Sequence, residues 1–121
     1  MDAESFYERL LLKASQEIEP DSVMIIGPLY SGSFEENISR FRDYTETLHK
    51  KCNVFSQLDY LETELVNAPF DFEKKFEIFY KGLIRHKNIS RLYVIPGWKE
   101  SKGTLTELRY AKEIGKSIVY L

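Results

Sequence analysis

The chain is 121 residues long, 43% apolar and 30% charged, with a net charge of −2. That suffices for one hydrophobic core but not for a second domain, and it excludes both a disordered chain and the basic footprint of a protein that binds nucleic-acid polymers. The single Cys52 excludes an internal disulfide, and with only His49 and His86 beside it no metal-ligand spacing exists, so a reducing cytoplasm with neither metal nor cofactor is the expected setting.

Residues 4–18 carry Phe6, Leu10, Leu11, Ala14 and Ile18 at helical spacing, and Pro20 closes the segment. This is an amphipathic helix with acids in it, not a signal peptide. No apolar run approaches membrane-spanning length, so no membrane partner is expected. SVMIIG, residues 22–27, suits a strand buried on both faces, and GPLYSGS, residues 27–33, follows as a Gly- and Ser-rich loop. Ser33-Phe34-Glu35-Glu36 is a capping box opening a helix with Phe34, Ile38, Phe41, Tyr44 and Leu48 inward. NVFSQL, residues 53–58, reads as the next strand and completes a βαβ unit.

Residues 59–70 read as a short helix or as a loop closing over something. Asp71 then caps a helix with Phe72, Phe76, Phe79 and Leu83 inward. The pairs Lys50-Lys51 and Lys74-Lys75 read as solvated helix faces. A third strand, Arg91–Ile95, leads through PGWKESKG into a helix from Thr104 to Gly115 and a last strand, Ser117–Leu121. The alternation predicts one α/β domain over residues 1–121, with 1–20 as an N-terminal helical extension. The sheet should be parallel, flavodoxin-like (Rossmann-like) and three-layered, with four strands in the order 2-1-3-4. In that order the chain leaves strands 1 and 3 in opposite directions, and a crevice opens between their C-terminal ends. Both unusual loops emerge there.

Glu107 stands out within the last helix. At about 100° per residue it falls between Tyr110 and Ala111, inside the apolar stripe formed with Leu108 and Ile114. Two readings compete. Thr104-Leu105-Thr106-Glu107 is a T-x-x-E capping box, in which the carboxylate bends back to its own helix terminus. Alternatively, Glu107 is a reactive carboxylate at the floor of the cleft, kept ionised by the helix N-terminus.

In the first loop, Gly27, Gly32 and Ser33 lead into a helix N-terminus suited to receive a phosphate or carboxylate, or they form an ordinary capped turn. Ser33 follows Gly32 where a P-loop would carry lysine, which excludes a Walker-type triphosphatase. In the second loop, Trp98 is placed to stack on a base or to plug the core. Ser101, Lys102 and Gly103 offer a hydroxyl, a cation and close backbone approach. The carboxyl group of Glu107 is expected to face a hollow bordered by Tyr30, Ser31 and Trp98.

Together, Gly27-Pro28 with its Gly/Ser loop and the series Pro96, Gly97, Trp98, Ser101, Gly103, Glu107, Ala111 and Gly115 resemble the nucleoside 2-deoxyribosyltransferase superfamily. The likeness is nearest to small phage and bacterial members and spans residues 22–121, leaving out the helix before Pro20. It implies N-glycosidic bond chemistry. Glu107 would attack the anomeric carbon of a deoxyribose to form a glycosyl-enzyme ester, which water or a second base resolves. Gly27, Tyr30, Ser31, Gly32, Ser33, Trp98, Ser101 and Gly103 would hold a nucleoside or nucleotide, including any 5′-phosphate. Aspartates usual in active relatives are replaced by Ser90, eight residues before Trp98, and by Gly82. Those aspartates orient the sugar and protonate the departing base, a task serine performs poorly. Two functions therefore stand side by side: a deoxyribosyltransferase or N-glycoside hydrolase, and an inactive nucleotide-binding module serving as sensor, sequestering protein or host-directed phage factor. The resemblance also implies a homodimer, for which the N-terminal helix is an interface element or simply packs on the sheet.

Overall fold

The apolar run after Asp21 becomes β1 (Ser22–Ile26), buried at every residue. In this computed structural model, which describes residues 2–61 and 71–121, β1 lies inside a four-stranded sheet ordered β2-β1-β3-β4. Its neighbours are β2 (Asn53–Phe55) and β3 (Ile89–Val94), with β4 (Ser117–Tyr120) at the far edge. All three pairings are parallel; Met24 sits opposite Phe55 on one side and Leu92 on the other, and Leu92 opposite Ile118. The fold is therefore the α/β arrangement that the alternation of elements predicts.

Strand alternation sends successive β1 side chains into two cores. Ile25 joins Phe41, Leu58 and Ile95 beneath α2 (Phe34–His49). Met24 and Ile26 join the larger core, with Leu10 and Ala14 of α1 (Ala3–Glu17) and Leu108 and Ala111 of α6 (Lys102–Glu113). Phe79 and Leu83 reach that core from a helical rod over residues 72–84. Each fully buried side chain of this size contributes about 1.5–3 kcal/mol of burial free energy. The N-terminal helix joins this core through Leu10 and Ala14, with Ile18 just past its end, and lies along the helical rod.

The rod is not uniform. It opens as α4 (Phe72–Lys74), capped by Asp71, whose Oδ1 accepts from Lys74 N at 3.0 Å. It then winds as a π-helix over Lys75–Tyr80 and closes as α5 (Lys81–Ile84). Most ends fall within two residues of expectation, and three of the differences bear on the site. β2 ends at Phe55, because α3 (Leu58–Leu61) begins where more strand was expected; β3 starts earlier, at Ile89; and α6 starts at Lys102 rather than Thr104. The expected reading of 59–70 is met by α3 up to residue 61, and the rest lies outside the described residues. Phe34 and Phe72, both expected to face inward, are 43% and 64% exposed because each opens its helix at the sheet's C-terminal edge, beyond the core.

Two glycines permit close approaches. A Cβ on Gly27 would lie 2.8 Å from Ile95 Cβ, so the ends of β1 and β3 converge only because residue 27 has no side chain. A Cβ on Gly82 would meet Leu11 Cδ2 at 2.4 Å, so the rod receives α1 at that point. Among the described residues no helix is long and apolar enough to cross a membrane.

Candidate functional site

Beyond the C-terminal end of β1 the chain turns at Gly27 into the 27–33 loop, which is fastened from below by a residue of α2. Asn37 is buried, and its Nδ2 donates to Leu29 O at 3.0 Å and to Ser31 O at 2.7 Å. Ser31 Oγ in turn donates to Glu100 O at 3.3 Å, tying this loop to the one before α6. The two unusual loops therefore meet, as the strand order requires.

Between them lies a cavity of about 360 Å³. Gly27, Leu29, Tyr30 and Ser31 form one wall, and Gln57 after β2 another, its Nε2 donating to Ile25 O at 3.4 Å. Phe72, Lys75, Phe76 and Tyr80 of the rod face them, and the opening turns of α6, from Ser101 to Glu107, supply the floor. The volume is that of a small-molecule site, and an aromatic-rich lining with a few convergent polar groups is what such sites share.

Glu107 is half-buried as a residue, but its Oε2 is cut off from solvent and has no hydrogen-bond partner among the described residues. Burial pushes its carboxyl up to about 8, and the Lys75 ammonium opposes that rise only in part. At neutral pH Glu107 is therefore held mainly as the neutral acid, rather than ionised by the helix terminus. Burial pushes the Tyr80 phenol well up, with the nearby Glu107 charge adding to the effect, and it pushes the Lys75 amine down. Carboxyl, amine and phenol thus share one poorly solvated space.

Ser101 is the N-cap of α6, accepting from Thr104 N at 3.3 Å, while Thr104 Oγ1 donates to Ser101 Oγ at 2.9 Å. The helix thereby begins two residues before Thr104, and Glu107 lies past its first turn. The T-x-x-E capping box is overturned: Thr104 is not the cap, and Glu107 makes no hydrogen bond back to it.

Of the residues singled out from sequence, Gly27, Tyr30, Ser31, Ser101, Gly103 and Glu107 come together on the cavity. Gly32, Ser33 and Trp98 do not line it. Gly32, at φ 78°, turns the loop into α2, and Ser33 caps that helix, accepting from Glu36 N at 3.3 Å. Trp98 opens a short 3-10 turn (Trp98–Glu100), and its ring packs 5.1 Å from Tyr120 at the sheet edge, so it covers the core instead of the hollow. Ser90 lies at the opposite end of the sheet, where its Oγ donates to Ser22 O at 3.1 Å, and Gly82 sits beneath Leu11.

The sequence pattern does not single out Gln57, Tyr80 or, above all, Lys75, which reads with Lys74 as part of a solvated face. Lys74 does face outward, with Nζ 3.9 Å from Glu4 Oε1. Lys75 instead turns into the cavity, its Nζ 5.4 Å from the centre of the Tyr80 ring. A signal was available: Lys75 stands three residues after Phe72 and four before Phe79, at the margin of the apolar stripe. The π winding was not legible. It places Lys75, Phe76 and Tyr80 on one wall, and such local widenings recur at functional sites.

Residues 21–120 match the family model described as Domain of unknown function (DUF4406). The chain belongs to the DUF4406 family. Glu107 and the other described lining residues fall inside the matched stretch, whereas α1 precedes it. No curated protein and no solved structure matches this DUF4406 chain.

Proposed function

We propose that this chain acts on the N-glycosidic bond of a nucleoside or nucleotide, as a deoxyribosyltransferase or an N-glycoside hydrolase, with Glu107 as the nucleophile. The observation that carries this reading is the orphaned Oε2 of Glu107 in the 360 Å³ cavity. A buried carboxyl oxygen with no partner costs stability, and it is the kind of group a ligand is built to meet. What such an oxygen does best is stabilise, and then bond to, a cationic carbon. An oxocarbenium-like centre provides one, and the resemblance of the Pro96–Gly115 series to nucleoside 2-deoxyribosyltransferases supplies the anomeric carbon. The sugar would lie over Ser101 and Gly103, with the base against Tyr30, Phe76 and Tyr80.

With the carboxyl pushed up to about 8, only about a tenth of the free protein carries the carboxylate at pH 7. Base release should therefore climb with pH until roughly that value, and positive charge developing in the transition state strengthens the carboxylate's role. The test is incubation with a panel of deoxynucleosides and their monophosphates, following free base by chromatography. Release by the natural chain and none by Glu107→Ala is expected. Equal release by both would remove Glu107 from the chemistry.

One observation favours a second reading, a nucleotide-binding module without turnover. Among the described lining residues Glu107 is the only carboxylate, and Ser90 and Gly82 face elsewhere. In that case a nucleotide raises the melting temperature of the protein while no base is released.

A further inference from the structure

We propose that Lys75 is the proton donor to the departing base, acting across the cavity from Glu107; this rests on the N-glycosidic reading above. Cleaving the bond leaves an electron pair on a base nitrogen, and that nitrogen needs a proton unless the base already carries a positive charge. Among the described lining residues no second carboxyl is present to give one, and burial pushes the Tyr30 and Tyr80 phenols up, so that they hold their protons. The cations there are Lys75 and Lys102, and Lys102 is exposed at the first position of α6.

Neighbouring lysines are occupied. Lys81 pairs with Glu77 at 2.9 Å, Lys74 with Glu4, and Lys116 donates to backbone carbonyls. Lys75 makes no ion pair and no hydrogen bond with a described residue, and its ammonium lies against the Tyr80 ring, facing the same void as the orphaned oxygen. A carboxyl and an amine, neither of them hydrogen-bonded or ion-paired to a described residue, thus project from opposing elements, the π-helical rod and α6, with no ion pair between them. A substrate atom set between them would meet both. Burial also lowers the affinity of the Lys75 amine for its proton, which makes it a better acid than an exposed lysine.

In the step itself, Glu107 Oε2 in its carboxylate form bonds to the anomeric carbon as the carbon–nitrogen bond breaks. The electron pair stays on the base, and Lys75 Nζ–H delivers a proton to it. The neutral amine then takes a proton from the water that attacks the anomeric carbon and frees the Glu107 carboxylate. The working form needs Glu107 ionised and Lys75 protonated. Tyr80 on the rod, Tyr30 on the first loop and Lys102 on α6 are the other titratable groups lining this cavity. Activity should therefore pass through a maximum on the alkaline side of neutrality, with the falling limb set by Lys75.

The deciding experiment compares 2′-deoxyguanosine with 7-methyl-2′-deoxyguanosine, each as nucleoside and 5′-monophosphate. The methylated base leaves neutral and needs no proton. Lys75→Met should lose about 10²–10⁴-fold in base release from the ordinary substrate, change the methylated one by only a few-fold, and lose the falling limb of the pH profile. Lys75→Arg, which keeps a cation over the Tyr80 ring but does not release a proton, should show the same split and so rule out a packing effect. Equal losses on both substrates, or none on either, overturn the role of Lys75. If the natural chain releases base and Glu107→Ala abolishes that release while Lys75→Met does not, Lys75 alone is wrong. If the natural chain releases base from neither substrate, the glycosidic reading fails and Lys75 goes with it.

Discussion

At the N-terminal end of the strands, polar groups find protein partners. Ser22 Oγ donates to Glu19 O at 2.6 Å, Asn88 Nδ2 to Ile18 O at 2.9 Å, and Lys116 Nζ to Ile89 O at 2.6 Å and His86 O at 3.3 Å. At the C-terminal end, Glu107 Oε2 and the Lys75 ammonium face a cavity and have no such partners among the described residues. Burial lowers the proton affinity of both Lys75 and Lys116, yet only Lys116 spends its N–H groups on the fold. Satisfied buried groups hold an element in place; unsatisfied ones cost stability and are reserved for something that arrives. Removing the orphaned carboxyl at one end should therefore stabilise the fold, and removing a satisfied amine at the other should destabilise it.

The largest expected effect is at Glu107. Its folded-state value of about 8 lies above the ordinary 4.5, so the folded protein holds that proton more tightly than the unfolded chain. Below 4.5 both states are protonated and the group is neutral in its effect. Between 4.5 and 8 the unfolded chain ionises while the folded one does not, so stability falls as pH rises, and it levels off above 8. Glu107→Gln removes this dependence and should stabilise the protein increasingly with pH, by up to about 5 kcal/mol above pH 8, with little pH-dependent gain near pH 4. Urea denaturation at several pH values measures it. Parallel pH profiles for the two proteins would mean the carboxyl is solvated or paired after all, and the contrast between the two ends would collapse.

Next come two substitutions that should destabilise. Gly27→Ala places a methyl group 2.8 Å from Ile95 Cβ, at the start of the branched side chain where yielding is hardest. Overpacking of that kind costs about 1–3 kcal/mol, read as a lower urea midpoint. Lys116→Met leaves carbonyls at the other end with one donor fewer. Since Lys116 is only half-buried, a loss of about 1 kcal/mol is expected. It should leave base release untouched, in contrast to Lys75→Met.

How much of this was legible beforehand follows from what kind of signal each feature leaves. β-branched runs, helical stripes and short connections gave the strand order, because a buried parallel sheet leaves few alternatives. The inward aim of Glu107 was legible from helical period alone. The start of α6 was not: Ser101 and Thr104 are both good caps, and their contest is settled by Thr104 being needed in the interior, hydrogen-bonded to Ser101. Trp98 was misplaced because a loop aromatic carries no period to say which way it faces. Lys75 and Tyr80 share a wall only through a π-helical stretch, and an excess residue in a helix leaves no mark on an α-helical wheel.

The smallest expected effect sharpens the contrast within the cavity end itself, where two serines do the same job in different company. Ser33 caps α2 and Ser101 caps α6, each accepting from a backbone N–H at 3.3 Å. Ser33 is exposed and off the cavity, so Ser33→Ala should cost only about 0.5–1 kcal/mol and leave nucleotide binding unchanged. Ser101 is buried, also accepts from Thr104 Oγ1, and lines the cavity beside Gly103. Ser101→Ala should cost somewhat more, about 1–2 kcal/mol, and should also weaken the thermal shift given by a deoxynucleotide. If both alanine variants bind alike, then the N-terminus of α6 only closes the helix, and the ligand must be held by the rod and the first loop instead.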